Sequence, residues 1–481
     1  MILFPNQNQD NYKWWVLLTV AASSFMVSLD ISLLLACLPE LAKVFQTSSA
    51  VIGWVNIVYF IMSQSLMLVF SKIADNLGRK RIFMIAIVVY SLGLLAASLS
   101  QNIFQLIFAR AIHGAAGATI TALSLAITVA TFPNEERGKA LGVLMGVSSG
   151  GLVVGPALGG VVLDFFDWRA IFYMRIPFMA AALVMAWIIL VEHKNRDDRP
   201  FKFDSIGALS LFIWIASLLL LLSFSSKWDF TSVPSIILGS ITILFFVVFL
   251  IVERRSPDPI VDIRLFKKRV FASATLTCIV TTVGSSSAVF LVPFFLMEGF
   301  GYSGTKVGLY MVLMSMPSVI LSPISGRLSD KMGSRLLATI GVIVSCSGLL
   351  CFTQLGIEAT TFSICATMLL AGSGFAIFHP PNNSSLMGAV SKDMLGVASA
   401  IGTAARNIGT SIAIAISGAL YSNYQPNYIL RFQQDRIEFN IAKKMAAISS
   451  FNDTLTITLI IGSFAILISF FRGSTKGINE S

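Results

Sequence analysis

Apolar runs of about twenty residues recur along the whole chain, separated by short breaks of charged residues, proline and glycine. At helical rise each run is long enough to cross about 30 Å of hydrocarbon. The pattern predicts helices near 14–38, 51–71, 82–100, 104–130, 139–163, 169–191, 205–223 and 233–252, ahead of a charged central stretch. After that stretch it predicts helices near 270–297, 303–324, 335–355, 360–380, 394–420 and 455–472. One segment, 421–453, breaks the pattern: it is long and mixed in charge, with Leu430, Ile437, Ile441 and Met445 at helix-like spacing. It reads as a long external loop lying on a membrane surface.

Composition turns the pattern into a class. Of 481 residues 56% are apolar and only 12% charged, with mean hydropathy +0.81, whereas soluble domains are about a quarter charged. The membrane is therefore the solvent. The net charge of +10 sits in short loops and forms no arginine-rich tail, so topology rather than nucleic acid accounts for it. An even number of crossings puts both termini on one side, and the loops of that side hold most of the 34 Lys and Arg. Both termini are expected in the cytoplasm of a bacterial cell, below its inner or plasma membrane. The densest clusters, Lys72 with Arg79, Lys80 and Arg81, then Lys194, Arg196, Arg199 and Lys202, then Arg254 to Arg269, agree. The first run, Trp14 to Leu38, is too long for a signal-peptide core and carries Asp30, so it is expected to stay as a helix. Cys37, Cys278, Cys346, Cys351 and Cys365 lack metal-ligand spacing and read as packing residues; no metal or cofactor is expected. There is no H-E-x-x-H, nucleophile elbow or phosphate-binding loop, which argues against an enzyme.

An internal repeat sets the architecture. Ser71-Lys-Ile-Ala-Asp75-Asn-Leu-Gly78-Arg79-Lys80-Arg81 follows the second run, and Gly326-Arg-Leu-Ser-Asp330-Lys-Met-Gly333-Ser-Arg335 follows the tenth. Each places a carboxylate at a helix end, a glycine three residues on for a tight turn, and then basic residues. The two copies lie further apart than a six-helix half of roughly 200 residues, by about one helical hairpin. The chain here resembles the major facilitator superfamily, and within it the fourteen-helix drug:proton antiporter branch, over almost its whole length. The first copy differs by having Ser71 where the family has glycine. The resemblance implies an all-α fold: an N-terminal six-helix half over 1–195, two inserted helices with cytoplasmic linkers over 196–265, and a C-terminal six-helix half over 266–481. It also implies that Asp75, Gly78, Arg79, Asp330 and Gly333 form a conformational gate.

Further motifs carry candidate chemistry. In the fifth run Gly151, Gly155 and Gly159 share one helix face, a smooth surface for a neighbouring helix, and Pro156 beside them bends the helix. With Gly160 this is similar to the antiporter motif of the superfamily's exporters. Asp30 lies about eight residues, ~12 Å, below the outer end of the first helix, a depth at which a carboxylate must be paired, protonated or facing water. Its motif is similar to the branch's, with Leu35 in place of a customary asparagine. Arg110-Ala-Ile-His113 in the fourth run resembles the superfamily's arginine motif, with His113 where glutamine is usual. Asp30, Arg110 and His113 are the candidate proton-coupling residues. Arg406 and Asn407 of the thirteenth run are similar to the branch, which has glutamine in the place of Asn407, and His379-Pro380-Pro381-Asn382-Asn383 is placed opposite them. Arg175 stands where the branch carries asparagine, with two readings open: substrate contact, or an arginine snorkelling toward lipid phosphate. Asp30, Arg110, Arg175, Arg406 and Asn407 are the candidate cavity residues. Glu298, beside Gly299 and Gly301, reads as a solvated loop residue.

Three deep arginines against one clear deep acid favour an anionic, zwitterionic or neutral amphiphile over a dication. The expected function is proton-coupled efflux of hydrophobic or amphipathic small molecules by alternating access, in a monomer whose partners are substrate, protons and lipid. A dedicated exporter of one metabolite, siderophore, lipid or peptide, and a transporter-like sensor without flux, are the alternatives.

Overall fold

A computed structural model describes residues 9–133, 136–192, 205–224, 232–256, 263–390 and 395–472. The basic cluster Lys194 to Lys202 lies outside them. The helices, in chain order, are α1 (Gln9–Val44), α2 (Ser49–Leu77), α3 (Arg79–Ser98), α4 (Ile103–Thr131), α5 (Arg137–Phe165), the single turn α6 (Ala170–Tyr173), α7 (Ile176–Ile189), α8 (Ser205–Phe224) and α9 (Val233–Arg255). They continue as α10 (Arg269–Phe294), α11 (Gly304–Met332), α12 (Ser334–Thr353), α13 (Thr361–Gly388), α14 (Leu395–Gln434) and α15 (Phe439–Phe470). No strand occurs among the described residues. Every apolar run of the sequence is occupied by helix. Among the described residues eleven helices are long and apolar enough to cross a membrane, and shorter apolar stretches lie at 49–63 in α2 and 206–218 in α8.

Helix starts are set by short polar side chains. Ser48, Asn102, Ser303 and Thr360 each accept a hydrogen bond from a backbone N–H of the first turn, at 3.4, 2.9, 3.4 and 3.2 Å. The repeated turn has the same geometry in both copies. Gly78 and Gly333 have φ of +106° and +91°, a region that a side chain disfavours, and each donates its N–H back to the helix it ends. The side chains of Asp75 and Asp330 are outside the described set.

Two groups of helices form, α1 to α7 and α10 to α15, while α8 and α9 pair with each other and α8 leans on α2 and α14. The outer face of α9 is left to lipid: Ile243 and Leu244 are 68% and 57% exposed. The starts of α1 and α5 lie together, since Lys13 bridges Glu136 at 2.8 Å. At that same end, here the near end, Lys268 reaches the Ala389 carbonyl and Arg472 meets Asn382. The far end is closed by two contacts between the groups. In one, Ser49 Oγ lies 2.7 Å from Ser422 Oγ and Ala50 donates its N–H to Ser422; in the other, the last turns of α5 meet the start of α11.

The segment 421–453 is not a loop. It is the end of α14 and the start of α15, joined by a short turn in which Arg436 has φ of +59°. At 40 residues α14 is about 60 Å long, twice the hydrocarbon thickness, so the hairpin stands clear of the bilayer. Tyr428 donates to Asp453 at 2.5 Å and stacks on Phe432 at 5.8 Å, tying the two arms. Its apolar residues stay exposed, as Leu430 and Ile441 show at 59% and 44%. Glu298 is likewise not a solvated loop residue. It lies in the π-helical turn Phe295–Gly299 that follows Pro293, and accepts hydrogen bonds from Tyr421 and Gln425 at 3.1 and 2.6 Å.

Candidate functional site

A buried charge cluster forms where α1, α2, α4 and α7 converge. Asp30, on α1, is fully buried, and an unpaired carboxylate there would be prohibitively costly. Two guanidinium groups face it: Arg110 of α4 bonds Oδ2 at 2.5 Å, and Arg175, in the break between α6 and α7, bonds Oδ1. Arg175 is thus neither snorkelling to lipid nor open to a cavity. It is 4% exposed, with Nε donating to the Ile171 carbonyl at 2.9 Å. The remaining donors of Arg110 find the Val55 carbonyl at 3.3 Å and Asn56 Oδ1 at 3.5 Å, and its guanidinium lies 4.3 Å over the Tyr59 ring. His113, one helical turn on, takes a bond from Arg110 at its Nδ1, 2.8 Å away. A nitrogen that accepts from arginine carries no proton, so the ring is neutral with its hydrogen on Nε2, which has no partner among the described residues. Tyr90 packs edge-on to this ring at 4.0 Å. Two cations and one carboxylate leave the cluster with an excess positive charge. Its response to protonation is asymmetric: neutralising Asp30 strands both arginines together.

The glycine motif of α5 serves two neighbours. Gly151, Gly155 and Gly159 face α1, where a Cβ at Gly151 would lie 2.6 Å from the Phe25 carbonyl oxygen and one at Gly159 2.7 Å from that of Leu33. Ser32 donates to the Gly151 carbonyl at 3.1 Å across this seam, two residues from Asp30. Pro156 and Gly160 face α11 instead, against Gly308 and Gly304. One helix therefore links the charge cluster to the far-end closure.

The sequence profile of the Major Facilitator Superfamily matches residues 20–414. The chain belongs to the Major Facilitator Superfamily. It is 29% identical over 415 residues to the multidrug resistance protein Stp of Mycobacterium tuberculosis, covering 84% of this chain and 75% of Stp. It is 27% identical over 410 residues to the riboflavin transporter RibZ of Clostridioides difficile, with 85% and 88% covered. Among solved structures it resembles a bacterial homologue of the human lysosomal transporter Spinster, in an inward-facing conformation, with TM-score 0.71 at 14% identity over 96% of this chain and 97% of that one. Facilitator-superfamily proteins are transporters, and this chain is accordingly a multi-pass membrane transporter of small molecules.

In the second group of this facilitator, Arg406 and Asn407 are half-buried on α14. Arg406 Nη1 lies 3.4 Å from His379 Nε2, and Asn383 lies 3.3 Å from the other ring nitrogen. The sequence placed His379 and Asn383 opposite Arg406, and the structure brings these three together. Of the proposed gate, Arg79 folds under α4 to the Ala126 carbonyl at 3.3 Å.

Four contributors went unread. Asn56 and Tyr59 sit in the apolar run of α2, where a deep asparagine is itself a signal. Arg472, 1% exposed, adds a buried cation at the near end, held by Asn382 at 2.5 Å and Ser385 at 2.9 Å. Asp164 closes the last turn of α5, an unfavourable place for an acid on its own helix. It accepts the N–H groups of Gly304 and Thr305, both at 2.8 Å, and so caps α11 from across the groups. Losing a cap costs about 1 kcal/mol. Asp164→Ala is accordingly expected to raise the far-end labelling rate of a Ser49→Cys reporter about fivefold, read with a membrane-impermeant maleimide; an unchanged rate would show that the cap does not hold the closure.

Proposed function

We propose that this transporter exports hydrophobic or amphipathic small molecules in exchange for protons, its two helix groups rocking about a central site. The observation that carries the proposal is Asp30 of α1, fully buried between Arg110 of α4 and Arg175 at the start of α7. Ionised, it binds α1, α4 and α7 together; protonated, it releases them, and the conformation in which the two arginines separate becomes favoured. An equilibrium moves only as far as the ligand distinguishes its states, and a proton here distinguishes a carboxylate-bridged cluster from one in which the two arginines repel. His113, 3.8 Å from Asp30 Oδ2, is the relay. The α5 glycines carry the change to the far end, which we take as the external face. The near end is cytoplasmic, gated by Asp75, Gly78, Arg79, Asp330 and Gly333. There a Cβ built at Gly146 of α5 would meet no neighbouring element within 4 Å, in keeping with a cavity open to that side.

The reading places the two halves at 1–195 and 266–481 and treats 196–265 as an insert, within the fourteen-helix antiporter branch and as a monomer in a bacterial cell membrane. Breadth of substrate is supported by the multidrug relatives, including multidrug resistance protein 3 of Bacillus subtilis at 29% identity over 381 residues. RibZ, a riboflavin transporter, favours the single-metabolite part of a second reading, a dedicated exporter of one metabolite, for which a narrow substrate profile would be diagnostic. The test is accumulation of matched cationic, neutral and anionic dyes in proteoliposomes under an imposed pH gradient. Accumulation is expected to collapse with a proton ionophore. Accumulation that ignores the ionophore removes proton coupling, and binding without flux makes the chain a sensor.

A further inference from the structure

The arginines packed within the helix bundle of this transporter differ in how they are satisfied. Arg110 and Arg175 share a carboxylate, and Arg472 has two strong side-chain acceptors at 2.5 and 2.9 Å, although Arg175 Nη2 and Arg472 Nε find no partner among the described residues. Arg406 has, among the described residues, one side-chain contact, to a neutral imidazole at 3.4 Å, longer than a normal N–H hydrogen bond, and no carboxylate. It lies eleven positions past Leu395, about 16 Å along α14, so it is well inside the bilayer. A guanidinium carries five donors in a planar fork shaped for a carboxylate or phosphate, and at this depth leaving them unmatched is costly. The surroundings suit an amphiphile. His379 is flanked by the half-buried ring of Phe375 at 4.9 Å, and Asn383 adds an amide one turn nearer the near end, 3.9 Å from a Cβ built at Gly402 of α14.

We propose that Arg406, His379 and Asn383 form the docking site for the anionic group of the substrate, an aromatic or amphipathic carboxylate, with Phe375 beside its apolar body. This rests on the transport reading and divides the labour between the halves. The Asp30 cluster is sealed and handles the proton, whereas the half-buried α13–α14 site meets the substrate. Arg406 Nη groups donate to the carboxylate, and Asn383 donates its amide.

The test is equilibrium binding to the full-length chain in lipid nanodiscs by fluorescence polarisation, with fluorescein and tetramethylrhodamine methyl ester, which share a xanthene core and differ in charge. No gradient is needed, so failure of proton coupling leaves the result intact, and a proton-driven exporter of cations would fail it. The wild type is expected to prefer fluorescein. Arg406→Ala is expected to weaken fluorescein about tenfold to a hundredfold, the loss of a charge-assisted bond, while leaving the rhodamine unchanged or tighter. Arg406→Lys keeps part of the affinity, and Asn383→Ala, which leaves the cation in place, weakens fluorescein severalfold and serves if Arg406→Ala does not fold. Absence of fluorescein binding by the wild type, or equal weakening of both dyes, overturns the site.

Discussion

Asp30→Asn is expected to abolish pH-driven transport and to lower the stability of the protein more than any other single change in the charge cluster. Asparagine keeps the shape of the side chain and loses the charge, so Arg110 and Arg175 are left buried with no counterion. Breaking a buried pair from one side costs about 3 to 5 kcal/mol, because the surviving charge stays desolvated. Arg175→Gln should cost less, since it leaves Asp30 and Arg110 as a neutral pair at 2.5 Å. The order Asp30→Asn, then Arg110→Gln, then Arg175→Gln in thermal unfolding would confirm that charge balance, rather than packing, dominates the cluster. If Arg175→Gln were the most damaging, the bond to Asp30 would be secondary to the support Arg175 gives to the break between α6 and α7.

The second large effect is expected at Gly160. A Cβ there meets the backbone of the facing helix, the Gly304 carbonyl group and Thr305 Cα, the latter at 2.9 Å, and backbone cannot swing aside as a side chain does. Overpacking of this kind costs about 1 to 3 kcal/mol. The cost falls only on the conformation in which α5 and α11 touch. Gly160→Val should therefore raise the far-end labelling rate of Ser49→Cys by about tenfold to a hundredfold with the fold intact. Gly155→Val presses on Leu33 N at 2.8 Å, a contact of α1 with α5 inside one group, and should lower stability without that shift. Equal effects at both positions would mean that the α5–α11 contact is not the closure.

These contrasts show what one-dimensional pattern holds. The apolar runs were legible as helices because each carries its own length and hydropathy, and the repeated turn because Gly78 and Gly333 answer to local backbone geometry alone. Asp30 and Arg110 stood out because charge at that depth is rare. What escaped depends on partners distant in sequence. Arg175 looked like a lipid or substrate contact until α7 was seen to bring it to α1. Asp164 acts on a helix that begins 140 residues later, at Gly304. The polar composition of 421–453 reads as loop, yet α14 and α15 hold each other as helices through Tyr428 and Asp453. The α5 glycines announced a close neighbour without saying that there are two, α1 for Gly151, Gly155 and Gly159 and α11 for Gly160.

The central claim is that Asp30 exchanges its proton as substrate binds, and proton release answers it most directly. The measurement follows an internal pH dye in proteoliposomes on addition of a transported dye, for the wild type and for Asp30→Asn. Proton movement on substrate addition in the wild type, absent in Asp30→Asn, is the predicted result; proton movement that survives in Asp30→Asn would place the coupling group elsewhere and contradict the account.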